Sequence, residues 1–279
     1  MKKQLPQLSS LMPSIFLTIG RSKDISASGI HLSSTFRDVT IDAAHLKSFR
    51  QYFGFRTDVP LSYLYTMAQR AQAALMLDKA FKLPIPGMVH LGNQLEKKAE
   101  PDPDIPFDIT ISAQVDYKES GSLKPVFLVE LSQNGQVVTV CKSLNLIKRK
   151  SKTKKHKKVV TAPQQQTTHE AIWKYDTRTG KEYANVSGDK NPIHTSLIFA
   201  RIMGFGKSIM HGWYSVCKVE QYLEENEGLA VSEIDSSFLS PILLPSQARF
   251  VLQKGEKGVF NYQLLDDASE KILLNGMMK

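Results

Sequence analysis

Apolar residues recur along this chain with a helical period and then an extended one, and the sequence does this twice. In the first half, Leu64, Ala68, Ala71 and Leu75 follow one another at spacings of four, three and four. That spacing puts them on one helical face and predicts a helix over about residues 60–81. Pro60 suits its first turn, and Pro84 and Pro86 are expected to end it. Phe107, Ile109, Ile111, Ala113, Val115 and Tyr117 then alternate with mostly polar residues, the pattern of a half-buried strand. The apolar runs 126–131 and 137–147 flank Asn134-Gly135, a strong hairpin signal.

The second half repeats the plan. A helix is expected over about residues 212–225, with Trp213, Val216, Cys217 and Leu223 facing inward. Strands are expected at 233–238, 247–254, 259–265 and 271–278, with turns between them. A long helix needs its apolar face covered, and a curved antiparallel sheet can wrap it. Two such units can join their sheets edge to edge and so remove exposed edge strands. The pattern therefore points to an α+β chain with two long helices, each wrapped by an antiparallel sheet.

Charge divides the same two halves. The net charge is +9, and eight of those nine charges lie between Lys148 and Lys158, where eight of eleven residues are Lys or Arg. Such a block repels itself and reads as a solvated linker. The division is 1–147, a basic linker at 148–164, and 165–279. The run could instead meet an acidic partner. Nucleic acid is disfavoured, because no aromatic residues are interleaved for base stacking. Cys141 and Cys217 are the only cysteines, too few for a disulfide framework or a cysteine-rich zinc site. The apolar stretch 11–19 is broken by Pro13 and followed by no small-residue cleavage pattern. No window reaches a membrane span, and a cytoplasmic location is expected.

The chemistry concentrates in Tyr183-Ala-Asn-Val-Ser187-Gly188-Asp189-Lys-Asn191-Pro192-Ile-His194 and, further on, His211-Gly212. Gly188 permits a tight turn, Asn191 is a good N-cap, and Pro192 a good first helical residue. Asp189 and His194 thus fall around the start of one short helix, about 193–202. The helix dipole there favours a charged carboxylate and disfavours imidazolium. Such a pair can accept and deliver protons near neutral pH. His211-Gly212 opens the long helix, whose first N–H groups are free for an oxyanion or a thioester carbonyl. Each residue also has a plainer reading. Asp189 and Asn191 could serve only as turn and cap, His194 as a surface residue, and His211 as packing.

The segment resembles the signature of the MaoC-like dehydratases and (R)-specific enoyl-CoA hydratases: an aromatic residue, then Ser-Gly-Asp-x-Asn-Pro-x-His, with a later His-Gly pair. Residues 45–55, 60–63 and 87–90 resemble, more weakly, the N-terminal half of two-hotdog bacterial acyl dehydratases. The resemblance implies a double hotdog with a noncatalytic first half and a catalytic second half. It implies reversible hydration of trans-2-enoyl thioesters to (R)-3-hydroxyacyl thioesters. Asp189 and His194 would hold the water and move both protons, and the Gly212 N–H would stabilise the enolate oxygen. Asn191, His211, Trp213 and Ser187 would lie around the substrate. No metal or redox cofactor is expected, because the thioester itself acidifies C2. The substrate would ride on coenzyme A or acyl carrier protein, and a homodimer of such units is compatible with the pattern. Trp213 stands where the family often has a flexible apolar residue, and Ser196 where an acid is frequent; both bear on acyl length more than on reaction. Tyr183 and His90 read as structural and Cys217 as buried packing. Two other readings remain open: a hotdog thioesterase, for which Glu220 is the candidate carboxylate, and a catalytically silent acyl-binding or scaffold subunit.

Overall fold

The computed structural model describes residues 4–149 and 169–279. Of the expected basic linker at 148–164, only Lys148 and Arg149 fall among the described residues. The first half runs α1 (Leu8–Leu17), β1 (Ile30–Val39), α2 (Ala43–Phe53), α3 (Leu61–Met76), β2 (Val89–Lys97), β3 (Phe107–Val115), β4 (Val126–Gln133) and β5 (Gln136–Leu146). The second runs β6 (His169–Tyr175), α4 (Thr177–Ser187), α5 (Pro192–Thr195), α6 (Leu197–Ile202), α7 (Gly212–Glu227), β7 (Glu233–Phe238), β8 (Ser246–Lys254), β9 (Phe260–Asp266) and β10 (Ile272–Met278).

All ten strands form one antiparallel sheet in the order β1-β3-β4-β5-β2-β7-β10-β9-β8-β6. Read outward from its centre, this order is the same on both sides: each half contributes five strands in matching sequence. The halves meet where β2 pairs with β7, from Gly92 opposite Ser237 to Glu96 opposite Glu233. Sharing this edge satisfies two rows of backbone groups that would otherwise stand open. The architecture is α+β, a double hotdog, with α3 and α7 as its two long helices.

The four core positions read on α3 are all buried, but so are nine of its other residues. The helix is therefore enclosed nearly all round, and its amphipathic spacing understates its centrality. It stops at Met76, short of residue 81, because the chain turns through Asp78, which accepts from the N–H of Ala80. The prolines at 84 and 86 lie beyond that turn. In β3 the alternation ends at Val115, and Tyr117 is exposed. Asn134 and Gly135 both take positive φ, 51° and 79°, as the hairpin between β4 and β5 requires.

The start of α3 is capped from the other half. Pro60 offers no side-chain acceptor, and the carboxylate of Glu220 on α7 takes its place. Oε1 accepts from the N–H of Leu61 at 2.8 Å and Oε2 from that of Ser62 at 3.0 Å. One turn along, Glu224 accepts from the backbone N–H groups of Arg56 and Thr57. A cavity of about 30 Å³ is all that remains there.

Candidate active site

The motif is built from three consecutive local devices. Helix α4 starts at Asp176, whose side chain accepts from the N–H of Thr179, and ends at Gly188 in the left-handed region, φ 75°. The Ser187 hydroxyl donates to the Tyr183 carbonyl at 2.7 Å and accepts from the Asp189 N–H at 3.2 Å. Asn191 caps α5, its Oδ1 accepting from the Ile193 N–H, while its own N–H donates to Asp189 Oδ1 at 3.2 Å. The expected single helix over 193–202 is two pieces. Ser196, extended at φ −128° and ψ 118°, breaks it and caps α6 by accepting from the Phe199 N–H. The break leaves His194 on the one-turn helix α5.

His194 Nδ1 lies 2.8 Å from the Ile209 carbonyl and must donate to it, so Nε2 carries the free lone pair. His211 Nε2 likewise donates to the Asp189 backbone carbonyl at 2.9 Å. Its Nδ1 is buried and has no protein partner. The two imidazoles stack with centroids 3.6 Å apart, and Tyr183 packs edge-on against His211. Donor atoms of Asp189, His194 and His211 all lie within 4.8 Å of one another. This is the one group among the described residues with the composition and spacing to hold a metal ion. His194 Nε2, His211 Nδ1 and a carboxylate oxygen would be its ligands, and the same three atoms can instead hold a water.

Electrostatics set the protonation states. Burial lowers the pKa of His194, more than the nearby Asp189 raises it. Burial and the neighbouring His194 push His211 down to about 3. At Asp189, burial favours the neutral acid, but His211, His194, the Gln69 amide and the Asn191 N–H together hold the pKa below the usual carboxylate value. Near neutral pH the site thus presents a charged carboxylate beside two neutral imidazoles.

Helix α7 begins at Gly212, directly after His211. The N–H groups of Gly212 and Trp213 have no acceptor within the helix. A Cβ at 212 would stand 2.6 Å from the Phe238 ring, so only glycine lets β7 pack this close to the helix start. Trp213 Nε1 donates to the Ser62 carbonyl at 3.0 Å, and its ring lies 4.2 Å from that of Tyr65. His90 lies against Tyr65 and Phe238 and bonds Asn93 at 3.0 Å. Cys217 is fully buried, and burial raises its thiol pKa.

The sequence and the fold of this chain are similar to those of known proteins. Residues 145–272 fit the family model described as the MaoC like domain. Most of the second half of this chain is therefore similar to a MaoC-like domain. The chain is 24% identical over 233 residues to 3-hydroxyacyl-thioester dehydratase X of Mycobacterium tuberculosis, covering 80% of this chain and 81% of that protein. A crystal structure of that protein, HtdX, superposes with a TM-score of 0.70 at 21% identity, over 88% of this chain and 99% of the other. A MaoC-like dehydratase from Phytophthora capsici superposes at 0.67 with 16% identity, over 90% of this chain and 95% of that one.

The second half does not hold the candidate site alone. Gln69, on α3 of the first half, donates its amide to Asp189 Oδ2 at 2.8 Å. His45 on α2 donates from Nε2 to the Val186 carbonyl at 2.7 Å, and its Nδ1 faces the Tyr63 hydroxyl at 3.1 Å. Gln69 was not singled out in the sequence, and His45 and Tyr63 entered only through the weaker resemblance of residues 45–55 and 60–63. One signal was available: Gln69 is the ninth residue of α3 and Glu220 the ninth of α7, two sixteen-residue helices. Each reaches across to the other half, Gln69 to the motif carboxylate and Glu220 to the start of α3. A polar cavity of about 260 Å³, lined by His45, Tyr63, Arg70, Asn185, Gly188 and Lys190, lies behind the motif loop.

Proposed function

We propose that this protein is a dehydratase/hydratase of acyl thioesters, interconverting (R)-3-hydroxyacyl and trans-2-enoyl thioesters on coenzyme A or acyl carrier protein. The observation that carries the reading is the pairing of a charged Asp189 with a neutral His194 whose Nε2 lone pair is free. The MaoC-like domain and the similarity to a 3-hydroxyacyl-thioester dehydratase support the same reaction class.

In the hydration direction, Asp189 holds one hydrogen of the water and His194 Nε2 takes the other as the oxygen bonds to C3. The C2=C3 electrons move toward the thioester carbonyl, whose oxygen gains negative charge. The Gly212 N–H at the start of α7 stabilises that charge. The resulting imidazolium is acidic, because burial disfavours its charge, and it returns the proton to C2. Water has then been added with no net change at the enzyme, and dehydration is the reverse.

Glu220 does not suit a thioesterase role. It is buried, and both carboxylate oxygens are bonded to the start of α3. The deciding experiment is hydration of a trans-2-enoyl-CoA series, followed by loss of conjugated-thioester absorbance, with product stereochemistry determined. Wild type should form (R)-3-hydroxyacyl-CoA, and Asp189→Asn should lose about 10²- to 10⁴-fold in kcat. Silence of wild type on both coenzyme A and acyl carrier protein substrates would replace this reading with that of an acyl-binding or scaffold subunit.

A further inference from the structure

The four most exposed large apolar side chains among the described residues occur in two short segments. Leu17 and Ile19 at the end of α1 are 83% and 70% exposed, and Ile198 and Ile202 on α6 are 75% and 73% exposed. Among the described residues no other exposed large apolar side chain exceeds 52%. Ile198 and Ile202 lie one turn apart and share a helix face. The segments are fastened to each other, because the rings of Phe16 and Phe199 meet edge-on at 4.9 Å. Single exposed aliphatics are ordinary on protein surfaces, but a cluster at this level of exposure marks a contact surface.

The two segments themselves carry basic charge, with Arg21 and Lys23 following Ile19, and the nearby acid Asp78 faces Arg21. The first acid in the chain is Asp24, already paired with Arg149 at 3.7 Å. Between Asp189 and Glu220 the chain carries Lys190, Arg201 and Lys207, all exposed, then the half-buried Lys218 on α7, and no acid. A second copy brought onto this face by two-fold symmetry would set like charges against like. An anionic lipid surface instead offers an apolar layer for the four side chains and negative headgroups for the cations around them. We propose that the surface formed by Leu17, Ile19, Ile198 and Ile202, flanked by Arg201 and Lys207, docks the protein on anionic membranes. Ile198 lies four residues beyond His194, so a docked protein would hold its candidate site close to the lipid.

Flotation of the full chain with vesicles tests this, using phosphatidylcholine alone or with about one third phosphatidylglycerol. Wild type should float with the anionic vesicles and at least tenfold less with the neutral ones. Raised salt should narrow that difference. Ile198→Ser with Ile202→Ser should lower binding at least tenfold. Leu17→Ser with Ile19→Ser, on the other segment, should do the same, so that misfolding of one pair does not decide the outcome. Arg201→Gln with Lys207→Gln should weaken the preference for anionic lipid, and Leu239→Ser, at an exposed apolar position elsewhere, should change nothing. No flotation of wild type, or undiminished flotation of both serine pairs, overturns the proposal. So would a wild-type dimer that both pairs dissociate without any vesicle binding, or binding to acyl carrier protein in place of vesicles.

Discussion

At Asp189, a carboxylate that burial alone would neutralise stays charged because its neighbours outweigh the burial. Gln69 is the contributor whose removal is cleanest, since it touches only the far oxygen. A donor to a carboxylate favours the charged form, so its loss raises the pKa. Gln69→Ala should therefore move the lower acid limb of the kcat/KM profile, the one set by Asp189 below that of His194, to higher pH and lower the plateau about ten- to hundredfold. In wild type the profile should be flat through neutrality, falling only below the ordinary imidazole range, because burial lowers His194. An unmoved acid limb in Gln69→Ala would mean that the amide does not tune Asp189. Gly212 gives a second test at this scale. Gly212→Ala would force its new methyl into the Phe238 ring and displace the start of α7. A loss of about 10²- to 10³-fold in kcat is expected. Phe238→Leu, introduced alongside, should restore part of it by making room; if it restores none, the clash is not the cause.

Helices α3 and α7 carry reciprocal roles, and Glu220 makes that measurable. Burial raises its pKa to about 7, against the two backbone N–H groups that favour the charged form. The folded chain therefore holds a proton that the unfolded chain releases above about 4.5. The contribution of Glu220 to stability is constant below that value, falls as pH rises toward about 7, and is constant again beyond. The size of the fall is up to about 3 kcal/mol. Urea denaturation of wild type from pH 4 to 8, compared with Glu220→Gln, isolates it. The amide variant should lose this part of the slope, although it is weaker throughout for lack of a second acceptor oxygen. Which elements the sequence disclosed follows the same logic. The hairpin at Asn134-Gly135 and the motif loop were legible because turn and cap chemistry is local. Strands β1, β2 and β6 were not: β2, central and paired on both sides, shows no clean alternation in burial. Helices α2 and α4 are short, and their caps at Asp42 and Asp176 look like ordinary loop acids until the turns are seen. Gln69 was missed because its partner lies 120 residues away, and only its matching position to Glu220 on the paired helices points to it.

The two halves resemble separate domains in sequence, yet their contacts argue for one cooperative unit. The sheet is continuous across β2 and β7, and one core cluster contains residues from both helices and both sets of strands. Polar ties run in each direction: Trp213 to Ser62, Glu220 and Glu224 to the start of α3 and the loop before it, and Gln69 and His45 to the motif. If either half unfolded alone, it would expose a sheet edge and leave the Glu220 carboxylate without its partners, at a cost of a few kcal/mol for the lost bonds alone. Both tryptophans lie in the second half, so their fluorescence reports on it through Trp173 and on its junction with α3 through Trp213, while far-UV circular dichroism averages both halves. The two signals should trace one coincident urea transition. Separate midpoints, with fluorescence changing at a different urea concentration from the dichroism, would show that the halves fold independently. The site would then depend on docking of the halves after each has folded, because Gln69 and Asp189 belong to opposite ones.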